Sequence, residues 1–221
     1  MDNDVIIEND SNKLITKTFF WMFLGLLSTA GVSWYTYASG LLGNIIVNDY
    51  WNILLIAEFV VVLLFSLCFR KLPATVVAIL YFLYAMLNGV SLSTIFVIFE
   101  LDSVILLFVV SSLLFGGFAL LGSITKADLS KWYYLLFGTL LASLIVSLVN
   151  LFLNNSALDI ILDWIILFTF FGVTVYDMNK IKQLQYDVES DKLQIYGAMQ
   201  LYLDFINIFI RILSLFGKRK R

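Results

Sequence analysis

The sequence predicts an all-α membrane protein, a seven-transmembrane-helix bundle with the last helix central. Three observations carry that prediction. Hydrophobic residues make up 61% of the chain and charged residues 14%, with a mean hydropathy of +0.94, whereas a soluble domain is about half apolar and a quarter charged. A chain of 221 residues cannot hide that much apolar surface from water in one core, so lipid must solvate the excess. The apolar residues fall into seven runs of roughly the 20 residues that a helical crossing requires. Finally, the polar residues of the last run share one helical face.

The chain divides into an acidic N-terminal arm (1–12), a seven-helix transmembrane domain (13–217) and a basic C-terminal tail (218–221). The arm carries Asp2, Asp4, Glu8 and Asp10, the wrong charge for the start of a secretory signal, and reads as a short solvated extension. The runs cover 18–39, 51–69, 74–99, 103–123, 132–153, 158–178 and 193–216. Barrel strands would alternate apolar and polar residues over about ten positions; these runs are continuous and about twice as long. The single proline, Pro73, sits beside Arg70 and Lys71 between the second and third runs, where it breaks no helix. Connections are short, so neighbouring helices run antiparallel.

Lys and Arg set the orientation. Lys13 and Lys17 precede the first span, Arg70 and Lys71 lie in the second connection, Lys126 and Lys131 in the fourth, and Lys180, Lys182 and Lys192 in the sixth. The odd connections have none. The N-terminus and even connections are therefore expected in the cytoplasm of a cell in whose plasma membrane the chain lies. The tail Lys218–Arg221 disagrees, since a seventh full crossing puts it outside. A re-entrant last helix is the alternative; a full crossing is favoured by length.

In the last run Gln200, Asp204, Asn207 and Arg211 fall within a sector of about 60°, with Gly197 beside it. Leu201, Tyr202, Phe205, Ile206, Phe209 and Ile212 occupy the other faces. A charge at mid-span costs roughly 2.5–3.5 kcal/mol, so the stripe must face protein or a water-filled cavity. Either Asp204 and Arg211 pair with neighbours as structural ions, or the stripe lines an ion or proton path; the second reading is favoured. Glu58 lies inside the second span without a cation within a turn and is expected to face the interior. Asp177 ends the sixth span. Ser143, Ser147 and Asn150, the group Ser112, Gly116 and Gly117, and the stretch 88–91 read as helix-packing positions, since small residues let helices approach in lipid.

Other chemistries are excluded or unsupported. There is no histidine, so any proton sensing must use carboxylates. Cys68 is the single cysteine and forms no internal disulfide. No basic patch interleaved with aromatics suggests nucleic acid. No enzyme activity or cofactor is expected, and the Gly-x-Gly-Asp signature of intramembrane aspartate proteases is missing.

Four segments resemble the Bax inhibitor-1 (transmembrane Bax inhibitor motif) family, especially its small bacterial members: residues 87–93 in the third span, 125–130 in the fourth connection, Val175-Tyr176-Asp177, and 201–209, Leu-Tyr-Leu-Asp-Phe-Ile-Asn-Ile-Phe, in the last helix. The last is the most specific, and the resemblance runs from about residue 13 to 216. It implies a pH-sensitive calcium leak channel in which two aspartates share a proton and gate the pore. Those positions fall on Asp177 and Asp204, the buried acid of the second helix on Glu58, and a latching cation on Arg70 or Lys71, both of which stay open. Met178-Asn179 departs from the small or amide residues usual after Asp177. Two carboxyl groups within hydrogen-bond reach cannot both be charged cheaply, so they titrate as a unit. Ca²⁺, the permeant ion, favours several oxygen ligands; Asp204, Asn207, Glu58, Gln200 and Arg211 are the path candidates, with Asp204 and Glu58 as transient Ca²⁺ ligands. The alternative function is an interaction protein that modulates a membrane-bound AAA+ protease or a stress response, which would depend on the arm or tail instead of the aspartates.

Overall fold

The computed structural model describes residues 2–185 and 188–220, with side chains from residue 12 onward. The helices are α1 (Asp2–Ala38), α2 (Leu41–Val47), α3 (Trp51–Cys68), α4 (Ala74–Leu92), α5 (Ile95–Ile98), α6 (Leu101–Ile124), α7 (Ser130–Leu153), α8 (Ser156–Leu184) and α9 (Ser190–Phe216). Among the described residues seven helical segments are long and apolar enough to cross a membrane: Asn12–Ala38, Trp51–Cys68, Ala74–Ile98, Leu101–Ile124, Ser130–Leu153, Ser156–Leu184 and Ser190–Phe216. The expected runs match them to within a few residues. The backbone of the expected N-terminal arm is helical and continuous with the first span; the arm's side chains before residue 12 lie outside the described residues.

Large apolar side chains such as Leu67, Leu113, Tyr134, Leu151 and Phe152 stand exposed on the spans. A water-soluble protein does not leave so much apolar surface open; a multi-pass membrane protein presents it to lipid.

The chain forms two compact units. One holds residues up to Phe99, Leu184–Tyr202 and the chain end from Arg219; the other holds Glu100–Gln183 and Leu203–Lys218. In the first, α1 and α4 approach closely at Gly89: a side-chain carbon there would lie 2.7 Å from the Thr29 carbonyl oxygen, so only glycine fits. Tyr81 donates to the Trp21 carbonyl at 3.0 Å, and Phe69 stacks on Tyr196 with centroids 4.1 Å apart. In the second unit, Phe108 and Phe115 meet Phe205 edge-on, and Phe118 stacks on Phe171 at 4.3 Å. Gly122 of α6 lies against α8, where an added carbon would come within 2.5 Å of the Val175 carbonyl oxygen.

Those contacts correct one expectation. Gly116 and Gly117 are exposed and have open space where a side chain would go, so they are not packing positions; α6 makes its close approach one and a half turns later, at Gly122. The 88–91 stretch does pack, with Asn88 and Gly89 buried, as do Ser143 and Asn150.

α9 is the most buried of the seven spans, with 56% of its apolar window buried against 39% for α8. The chain then ends in a clasp on the connection between the third and fourth spans. In one unit the Glu100 N–H donates to the Lys218 carbonyl at 2.9 Å, the Lys218 ammonium reaches Glu100 at 2.7 Å, and the Lys218 N–H donates to Ser103 at 3.0 Å. In the other the Lys220 N–H donates to the Ile98 carbonyl at 2.9 Å and its ammonium to the Phe96 carbonyl at 2.6 Å. A tail on the third connection is what a complete seventh crossing produces; a re-entrant helix would return it to the side of the even connections.

A buried carboxylate pair and two polar clusters

The expected polar stripe of α9 lies on that helix's more accessible face. Gln200, Asn207 and Arg211 are half-buried, while Leu201, Tyr202, Phe205, Ile206, Phe209 and Ile212 on the other faces are buried. A bundle helix normally buries its apolar side and turns its polar side to water. Here the polar side is a stripe at membrane depth, so it requires water or protein groups in front of it. The Asn207 amide donates back to the Leu203 carbonyl at 2.8 Å.

Asp204 interrupts this pattern, being only 2% exposed. Its neighbour from α8 is Asp177, 7% exposed, whose charge acts on the Asp204 carboxyl. Thr174, one turn before Asp177 and fully buried, hydrogen-bonds the same carboxyl. Asp204 Oδ2 is buried and receives no hydrogen bond from the described residues. Two acids from two helices therefore share one buried environment. The cation whose charge reaches Asp177 is Lys180, which lies over the Tyr176 ring at 5.6 Å.

That end of α8 is tied to α6. Asn179 donates to the Thr125 carbonyl at 2.9 Å, and the Lys182 ammonium donates to the Ser123 carbonyl. Both caps satisfy carbonyls at the C-terminus of α6, where a helix leaves them without partners and favours positive charge. Arg70 and Lys71 are exposed, with the Arg70 guanidinium 5.9 Å from the centre of the Phe69 ring.

A second polar cluster lies in the other unit. Glu58, half-buried on α3, accepts a hydrogen bond from Ser91 of α4, with Asn88 also bonded to its carboxylate. Asn88 accepts from the Tyr202 hydroxyl at 3.1 Å, and that hydroxyl is 2.7 Å from the Thr29 hydroxyl. Thr29 also lies 2.9 Å from the Ala85 carbonyl. Glu58 is held by hydroxyl and amide partners rather than by a cation. Tyr202, placed by periodicity among the apolar faces, supplies the hydroxyl that joins α1, α4 and α9. Its ring is apolar and its tip polar, a duality that a hydrophobic count does not register.

The third cluster was not anticipated. Asp163 of α8 accepts from Arg211 at 2.7 Å through Oδ1 and from Ser214 at 2.6 Å through Oδ2. The ion pair weighed for Arg211 thus exists, and Asp163 is its partner. The available signal was an acid inside an apolar run, the same signal that singled out Glu58. Among the described residues no three His, Cys, Asp or Glu side chains converge as a metal site.

The comparisons with known proteins agree with this architecture. A family model described as "Inhibitor of apoptosis-promoting Bax1" matches residues 11–221. An inner membrane protein of Escherichia coli K12, YbhL, is 36% identical over 93% of this chain and 92% of its own length. An uncharacterized protein of Borreliella burgdorferi is 32% identical over 95% of this chain and 93% of its own. An uncharacterized membrane protein of Streptococcus pyogenes serotype M3 is 30% identical over 98% and 99%.

Proposed function

This chain belongs to the Bax inhibitor-1 family, and from that premise we propose that it is a pH-sensitive calcium leak channel gated by a proton shared between Asp177 and Asp204. The observation that carries the reading is the burial of two mutually interacting carboxyl groups beside an accessible polar stripe. Asp204 Oδ2, buried and without a hydrogen-bond partner among the described residues, is where a shared proton fits.

With one proton between them the two carboxyl groups carry one negative charge and attract each other. Loss of that proton leaves two charges in a low-dielectric site, and their repulsion pushes α8 from α9. Opening follows rising pH. A coupling of 1–3 kcal/mol shifts the open population about 5- to 150-fold. The amide oxygens of Gln200 and Asn207 and the carboxylate of Glu58 are ligands of the kind that Ca²⁺ exchanges for water, and Arg211 shares the half-buried stripe of α9 with the first two.

In the orientation that Lys13, Lys17 and the basic even connections favour, the N-terminus is cytoplasmic and the tail outside. Cysteines introduced at Asn44 and Asn155 are then labelled by an impermeant reagent in intact cells; labelling only after permeabilisation reverses the assignment.

The direct test is Ca²⁺ uptake by liposomes carrying the purified full chain, measured across pH. Uptake rises with pH in the wild type, and Asp177→Asn and Asp204→Asn each flatten the profile. The double variant is little worse than either single, because the two groups act as one unit. A wild-type pH response in both single variants would refute the shared-proton gate.

A further inference from the structure

The cluster of Asp163, Arg211 and Ser214 is on the same two helices as the aspartate pair but at the far end of α8: Asp163 lies about 20 Å from Asp177 at the helical rise of ~1.5 Å per residue. Its side chain keeps 10% of its exposure and that of Arg211 32%, so the pair borders the accessible stripe instead of being sealed in the core. The geometry is that of an exchangeable contact. A guanidinium and a carboxylate at their strongest form two parallel hydrogen bonds. Here Arg211 reaches Asp163 through Nη1 alone, because the other carboxylate oxygen is taken by Ser214. Arg211 Nε is buried and has no hydrogen-bond partner among the described residues. The cation is therefore held by one point on the carboxylate, with part of its donor set unused.

We propose that Asp163, Arg211 and Ser214 form a second constriction of the ion path, in which Arg211 is a tethered counter-ion occupying the cation position on Asp163 and an incoming divalent cation displaces it. Asp163 then offers a carboxylate, and Ser214 a hydroxyl, to an ion that prefers oxygen ligands. Displaced, the guanidinium moves along a face of α9 that is already accessible. The selectivity this creates is by charge: an anion gains nothing from Asp163, and a monovalent cation competes less well with Arg211 than a divalent one does. The proposal rests on the channel reading above but uses neither Asp177 nor Asp204.

The test measures Ca²⁺ uptake and reversal potential with the full chain in liposomes. Arg211→Gln removes the tethered competitor and raises uptake at least about fivefold at every pH, while the shape of the pH profile is kept. Asp163→Asn leaves the guanidinium uncompensated in the path; uptake falls by a similar factor and the reversal potential moves towards that of chloride. Asp163→Asn combined with Arg211→Gln removes both charges together, which a folded bundle tolerates better than losing one. It shows weak uptake with no preference for divalent over monovalent cations, and it decides the matter should a single variant fail to fold. Wild-type uptake and wild-type selectivity in the folded Arg211→Gln and double variants would overturn the constriction while leaving the pH gate standing. A wild type that passes no Ca²⁺ at any pH would overturn both.

Discussion

The two ends of the α8–α9 pair place the same residue type in opposite company. At one end Asp163 meets a guanidinium and a hydroxyl, and both of its oxygens are used. At the other, Asp204 meets a second carboxyl from α8 and keeps a buried oxygen with no donor among the described residues. A carboxylate paired with a cation keeps its charge balanced as long as some cation stands there, whereas an acid buried beside another acid is a standing liability that a fold tolerates for a purpose. The difference separates a contact that answers to a cation from one that answers to a proton.

The largest effect expected from this contrast is on stability. Asp163→Asn strands a partly buried guanidinium and lowers unfolding stability in detergent by about 3 kcal/mol. Asp204→Asn removes a carboxyl from beside another carboxyl; it costs under about 1 kcal/mol or stabilises. Equal losses in the two variants, measured by thermal or denaturant unfolding, would erase the distinction. A smaller effect is expected at Glu58, an acid satisfied by hydroxyl and amide groups alone. Glu58→Gln keeps an acceptor for Ser91 and therefore the fold, and it changes Ca²⁺ uptake without shifting its pH midpoint. A shifted midpoint would draw Glu58 into the gate, and unchanged uptake at every pH would reduce it to packing.

The smallest effect belongs to Asp128, the solvated extreme of the series. In the connection before α7 its carboxylate accepts from the Ser130 N–H at 2.9 Å, and the Ser130 side chain and backbone, with a lesser push from Lys131, hold it below the usual aspartate range. A lowered folded-state value means a contribution that is present above the ordinary aspartate range and lost as pH falls through the folded value. The small deficit of Asp128→Ala in thermal midpoint should accordingly close on acidification. A deficit that persists in acid would show that the turn is not held by the ionised carboxylate.

What was legible in the sequence followed from lipid as solvent. Continuous apolar runs fixed the spans, and charges inside them marked Glu58, Asp204 and Arg211, since no charge sits at membrane depth without a partner or water. Asp177 at a span end carried no such mark, and its importance came from the motif around it. The partners were less legible because they depend on which helix faces which. Nothing local says that Arg211 turns to Asp163, or that the hydroxyl of Tyr202 ends between Thr29 and Asn88. Small residues misled for the same reason: Gly116-Gly117 and Gly122 look alike in a list, and only the neighbouring helix distinguishes them. The direction of the basic tail conflicted with the charge rule, and its clasp on the third connection resolves that conflict in favour of seven crossings.

One feature of the fold sets an order of events during biosynthesis. α9 is made after the other six spans, and its residues up to Tyr202 belong to one compact unit while Leu203–Lys218 belong to the other. Most chains let earlier segments fold while later ones are still being made. Here six spans enter the bilayer with Asn88, Asp163 and Asp177 still waiting for Tyr202, Arg211 and Asp204. One helix thus delivers the partners of three polar residues at once. A chain interrupted before Ser190 would leave those groups uncovered in the membrane, as a lesion that quality control can read.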